Sequence, residues 1–181
     1  MDDTYMKEME GLRARMAKLE KGQENKLSAV VFSGGLDKGL ASMIIATGAS
    51  AMGLEVSLFF TFWATPLLRA KGKKPGPKDF FGKLFGAMMP RGAGKAKLSQ
   101  MHMGGMGTAM IKNIMKKKNV ASLPELITLA GELDVKITIC EMSMDLMGFT
   151  REEMIDYPNL HYGGVAAFVA EAAKSKVQLF I

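Results

Sequence analysis

Leu27–Phe62 reads LSAVVFSGGLDKGLASMIIATGASAMGLEVSLFFTF, and its punctuation carries the fold. Leu27–Phe32 is a short apolar run closed by Gly34 and Gly35, the form of a buried parallel strand. Leu40–Met52 is rich in alanine and other small residues, which lets a helix lie close on a sheet. Asp37 stands where it can cap that helix, and Gly53 closes it. Glu55–Phe62 is a second buried strand, aromatic and β-branched. Strand, helix and strand within about 35 residues make a βαβ unit with a right-handed crossover.

The second half repeats the theme. Leu123–Leu133 is an amphipathic helix opened by Ser122, with Pro124 in its first turn. Val135–Cys140 is a third strand, Met142–Met147 and Arg151–Ile155 are short helices, Val165–Ser175 is a helix and Val177–Ile181 a last strand. His161–Gly164 is too short to assign. The expectation is an α/β domain over residues 26–181: a mostly parallel sheet of four or five strands, helices on both faces, strand order unreadable. Residues 1–25 form an N-terminal helix. Met9, Leu12, Met16 and Leu19 follow 3-4-3 spacing, the seam of a coiled coil too short to stand alone.

Hydrophobic residues at 48% exclude global disorder, and a single cysteine excludes an internal disulfide or a cysteine-built zinc site. A reducing compartment, the cytoplasm, suits such a chain. Residues 1–25 lack the apolar core of a secretory signal, and the longest apolar run, Val56–Leu68, is too short to span a bilayer. The net charge of +6 is local. Residues 69–97 hold nine basic residues, at 69, 71, 73, 74, 78, 83, 91, 95 and 97, against Asp79; that is +8, leaving −2 elsewhere. Phe80, Phe81, Leu84, Phe85 and Met88 share one helical face inside this basic insertion. Clustered on a stripe rather than interleaved with the cations, they suit docking on protein or lipid better than base stacking, so no nucleic-acid partner is expected.

Three further features can carry chemistry. Cys140 ends a strand, where open α/β sheets gather ligands. It is either a functional thiol or a small buried hydrophobe. Disulfide exchange wants a second cysteine, and a peroxidatic thiol wants a pocket that Lys136 and Thr138 do not assemble, so a persulfide carrier is the role a lone cysteine fits best. Glu141, Met142, Ser143 and Met144 form the turn around it, and Gly34 and Gly35 lie at the same sheet edge as further N–H donors. The loop Ser33–Asp37, SGGLD, is also similar to the start of a pyrophosphate-binding loop, although Lys38 replaces the usual Ser or Thr. The run MHMGGM at 101–106, with Met110, offers soft thioethers and an imidazole of the kind that hold Cu(I), yet methionines scattered along the chain point to adaptable packing or a plastic partner surface. No metal and no cofactor is expected.

VVFSGGLDKGLASMIIATGASAMGLEVSLFFTFWATPLL, ITICEMSMDLMGF and HYGGVAAFVAEA together resemble the DsrE/DsrF/DsrH-like family of sulfur-relay proteins, over Leu27–Ile181. CEMSMDLMG is the most specific of these runs. The branch most resembled has an N-terminal helix and a basic insertion and is often labelled peroxiredoxin-like, a label the residues do not support. The resemblance implies a three-layer Rossmann-like fold, homo-oligomeric assembly, and sulfur passed as a cysteine persulfide among rhodanese-type and TusA-like partners, with Cys140 as the sulfur-bearing position. Lys73, Lys74, Lys78, Phe81 and Phe85 are the expected partner-docking residues, with peripheral membrane contact as a further use of that segment. The rival readings are a nucleotide-binding enzyme built on SGGLD and a non-catalytic scaffold on a membrane surface.

Overall fold

A computed structural model describes residues 3–73, 76–78 and 80–181, with the side chains of residues 3, 4 and 17–21 outside the description. Helix α1 (Asp3–Lys21) leads into five strands: β1 (Glu24–Val31), β2 (Glu55–Phe60), β3 (Lys136–Cys140), β4 (Leu160–Gly163) and β5 (Ser175–Phe180). Between them run α2 (Leu36–Ala51), α3 (Phe80–Met88), α4 (Met106–Lys117), α5 (Leu123–Glu132), α6 (Glu141–Met147) and α7 (Val165–Ala172). All strand pairings are parallel, in the order β4-β3-β2-β1-β5. The architecture is the expected α/β sheet with five strands; the unassigned His161–Gly164 lies largely within β4. Arg151–Glu153 forms one 3-10 turn, and α4 grows from a stretch where no helix was expected.

Chain direction explains the layering. From β1 through β4 each crossover steps the same way across the sheet, so right-handed connections put their helices on one face. The return from β4 to β5 runs the opposite way and puts α7 on the other. Side-chain parity agrees. Val56, Leu58, Phe60, Ile137 and Ile139 join the core with Leu126, Ile127 and Ala130 of α5 and Met43 and Ala46 of α2. The alternate residues face α7: the Phe59 ring stacks on Phe168 at 5.3 Å, and Ser57 Oγ donates to Glu171 Oε2 at 2.6 Å. Lys136 also pairs with Glu171, and Lys26 Nζ lies 3.7 Å from it, so one carboxylate of α7 ties three strands together. This second face is rich in polar residues, because one eight-residue helix supplies too little apolar surface to cover an all-hydrophobic layer.

Asp37 does not cap its helix. The helix begins at Leu36, so Asp37 lies within its first turn and instead accepts from Ser99 N at 2.8 Å and Ser99 Oγ at 2.5 Å. Helix α5 starts as expected, its Ser122 N–H donating to Glu125 Oε2 at 2.7 Å.

The insertion is anchored by buried charge. Arg69 Nε and Lys78 Nζ donate to the two oxygens of Glu153 at 2.9 and 2.5 Å, and Arg69 Nη1 reaches the Gly86 carbonyl at 3.2 Å. Both cations lie near the Phe149 ring, at 4.8 and 5.1 Å. Burial pushes the Glu153 carboxyl up, but hydrogen bonds from Lys78 and Thr150 N–H, with the Arg69 charge, outweigh it and hold it below the ordinary carboxylate range. Its contribution to stability is therefore present at neutral pH and lost as pH falls through that depressed value. Glu153→Gln, which strands two buried cations, is expected to cost about 3–5 kcal/mol in urea unfolding at pH 7. A loss below about 1 kcal/mol would show that the triad does not hold the insertion.

Candidate functional site

Cys140 is the last residue of β3 and the residue before α6. Its register partner on β4 is Gly163. The chain leaves Cys140 into α6, on the α2/α5 side, and leaves Gly163 through Gly164 into α7, on the other. Cys140 and Gly163 thus flank the point where connections part to opposite faces, the crevice in which open parallel sheets bind ligands. By parity with Lys136 and Thr138, the Cys140 side chain belongs to the α7 face. A Cβ on Gly163 would lie 3.7 Å from Thr138 Cγ2 and 3.8 Å from Ala167 Cβ, so α7 begins directly over this part of the sheet.

The thiol is closed in. Cys140 is 3% exposed and makes no side-chain cap hydrogen bond to α6. Thr61, which follows β2, runs beside it; Thr61 Oγ1 and Ser143 Oγ share a hydrogen bond at 2.7 Å, and Phe62 N donates to Ser143 Oγ at 3.0 Å. Ser143 therefore pins the first turn of α6 to the end of β2. Met144 points into the core, whereas Met142 is exposed. Glu141 pairs with Arg151, whose guanidinium lies 4.5 Å from the Tyr162 ring centroid. That trio bridges β3 and β4 at the carboxyl edge.

Gly34 and Gly35 are brought to the same edge but not to the thiol, since β2 stands between β1 and β3. Gly34 packs against the Trp63 carbonyl so closely that a Cβ would come within 2.0 Å of its oxygen. Leu36 N donates to Lys97 O at 2.7 Å, and Asp37 holds Ser99. The loop thus closes on the insertion, and the donor a phosphate would need at the start of α2 is engaged.

Lys78 requires a correction. It was expected to face a partner, but its side chain is 5% exposed and bound to Glu153, so its charge is spent inside the protein. Lys73 pairs with Asp156 at 2.7 Å, and Lys74 lies outside the described residues. Phe81 is exposed and Phe85 half-buried. Helix α3 turns its glycine side inward: a Cβ on Gly148 would lie 2.3 Å from Gly82 Cα, a backbone approach that leaves no room for a side chain. Phe80, Phe81, Leu84 and Met88 are left facing outward.

Sequence reading missed Thr61, the Arg151 and Tyr162 partners of Glu141, and Glu171. Only Glu171 carried a signal, as a lone acid in the apolar helix VAAFVAEA. Burial pushes its carboxyl up, but hydrogen bonds from Lys136 and Ser57 and the charges of Lys136 and Lys26 hold it below the usual range. The anchor of α7 is thus ionised at neutral pH. Among the described residues no helix is long and apolar enough to cross a membrane.

Comparison with known proteins converges on one family. The profile of the DsrE/DsrF/DrsH-like family matches residues 23–180. The chain is 48% identical over 159 residues to the uncharacterized protein YrkE of Bacillus subtilis, covering 88% of this chain and 98% of that one. It is 38% identical over 163 residues to the sulfur carrier protein DsrE2 of Allochromatium vinosum, covering 88% and 99%. With nearly the whole α/β sheet and the Cys140 crevice inside the matched region, the chain belongs to the DsrE/DsrF/DrsH-like family.

Proposed function

We propose that this protein is a sulfur carrier that holds sulfane sulfur as a persulfide on Cys140 and hands it to a partner thiol. The observation that carries this reading is the position of the chain's one cysteine at the β3/β4 crevice, in a family with a relative named as a sulfur carrier. The Cys140 thiolate attacks the outer sulfur of a donor persulfide; one S–S bond forms on Cys140, one breaks, and the donor leaves as a thiolate. The reverse attack by an acceptor thiolate unloads the carrier. No net oxidation occurs, so no cofactor is required. Rhodanese-type and TusA-like proteins have the chemistry of donor and acceptor, and the reducing cytoplasm keeps both thiols available.

A thiol 3% exposed cannot meet a partner sulfur unless its cover moves. Helix α7 is that cover: short, apolar, and held by Glu171 and the Phe59–Phe168 stack. Its outward Val165 and Val169, with Phe180 on the same face of the edge strand β5, are exposed apolar residues suited to a second copy of the chain. The outward side of α3, with Phe81 at its centre, receives the donor or acceptor.

Incubation with polysulfide or a loaded rhodanese, followed by intact mass measurement, is expected to add one or more sulfur masses; Cys140→Ser is expected to add none. Equal gain by both would end the persulfide reading. Glu171→Gln, weakening the anchor by about 1.4 kcal/mol, is expected to raise the rate of Cys140 labelling by a disulfide reagent about tenfold at pH 7. An unchanged rate would place the opening elsewhere. Phe81→Ser is expected to slow transfer from a loaded protein donor about tenfold while leaving loading by small polysulfide unchanged. Equal slowing of both would remove α3 from docking.

A further inference from the structure

Some methionines are buried and others exposed; Met6, Met16, Met52, Met88 and Met142 are exposed singly on other elements, whereas four exposed ones are gathered within residues 101–110. Met43, Met144, Met147 and Met154 fill the core, as adaptable packing residues do. Met101, Met103, Met106 and Met110 do not: they are 71, 63, 70 and 53% exposed. Packing within the chain explains the buried ones and leaves these four without a role.

Local geometry gathers these four. Met106 and Met110 stand one turn apart on α4 and share a face. Met103 opens the short 3-10 turn Met103–Gly105 that leads into that helix. The preceding chain folds back on the helix start: Gly105 N and Gly107 N both donate to the His102 carbonyl, at 2.8 and 3.3 Å. A Cβ on Gly107 would lie 1.8 Å from the Met101 carbonyl oxygen. Met101 and Met103 adopt left-handed φ of +55° and +47°, conformations uncommon for side chains of this size.

An imidazole, His102, lies between Met101 and Met103 in the chain. His102 Nδ1 is hydrogen-bonded to Thr108 Oγ1 at 2.8 Å, and that buried hydroxyl also accepts from Leu98 N at 3.1 Å. The ring is thereby oriented, and Nε2 has no partner among the described residues. A histidine held through one nitrogen with the other free is the usual arrangement of a metal-binding imidazole. The sequence from Phe80 to Pro124 contains no Asp or Glu, so no carboxylate of this segment competes for the ion. Neutral thioethers with one imidazole and no hard oxygen select a soft monovalent cation over Zn(II), Mg(II) or Ca(II).

We propose that His102 Nε2 and thioethers drawn from Met101, Met103, Met106 and Met110 form a Cu(I) site at the start of α4, independent of Cys140. The test uses the full chain carrying Cys140→Ser, because a free thiol would itself take Cu(I). Anaerobic titration with Cu(I) against a colorimetric chelator is expected to show one ion per chain, with Ag(I) taken up in the same ratio and Zn(II) not retained. Adding Met103→Leu and Met106→Leu keeps size and apolarity, leaves the circular dichroism melt unchanged, and is expected to lower Cu(I) affinity at least about tenfold. Absence of uptake by the Cys140→Ser chain would overturn the proposal. Undiminished binding by the leucine variant would overturn it too.

Discussion

The handedness of parallel crossovers governs this molecule. Three successive connections step one way across the sheet and one steps back, so α2 and α5 build a thick apolar layer on one face while α7 covers the other. A single short helix cannot bury a full hydrophobic face. The residues beneath it are accordingly mixed: Ser57, Lys136 and Thr138 beside Phe59 and Cys140. The same reversal sets the topological switch point between β3 and β4, where their outgoing chains part to opposite faces. The lone cysteine stands at that switch point, on the thinly covered side.

Polar anchoring compensates for the thin layer. Glu171 reaches Ser57, Lys136 and Lys26 on three neighbouring strands, fixing α7 laterally through charge where apolar contact is scarce. Such an anchor has a defined strength and can be outcompeted, unlike a broad hydrophobic contact. The insertion uses the same device on a larger scale: Glu153 binds Arg69 and Lys78, and the glycines of α3 let its backbone lie against Gly148. The outcome is an anchored helix with Phe80, Phe81, Leu84 and Met88 outward. The positive charge of residues 69–97 is correspondingly divided between internal clamps and the remaining surface cations.

Much of this was legible from residue order. LSAVVF, EVSLFF and KITIC read as buried strands because continuous apolar runs bounded by glycine or turns leave few alternatives, and the Ser122 and Pro124 signals placed the start of α5. Family membership was legible from CEMSMDLMG and HYGGVAAFVAEA. Lys78 was misjudged because a lysine in a basic run looks solvated until its distant acid, Glu153, is known. His161–Gly164 escapes assignment from sequence because a four-residue strand on an edge carries no periodicity to detect.

Sequence alone determined the element types, the βαβ start, the stripe on α3 and the placing of the single thiol at a strand end, since periodicity and turn residues are local properties. The tertiary structure decided which side of each element meets protein. It buried Cys140, turned Phe80 and Phe81 of α3 and Met106 and Met110 of α4 outward, and drew Lys78 inward. Periodicity states which residues share a face; strand order, crossover hand and ion pairs between residues far apart in the chain decide what that face meets.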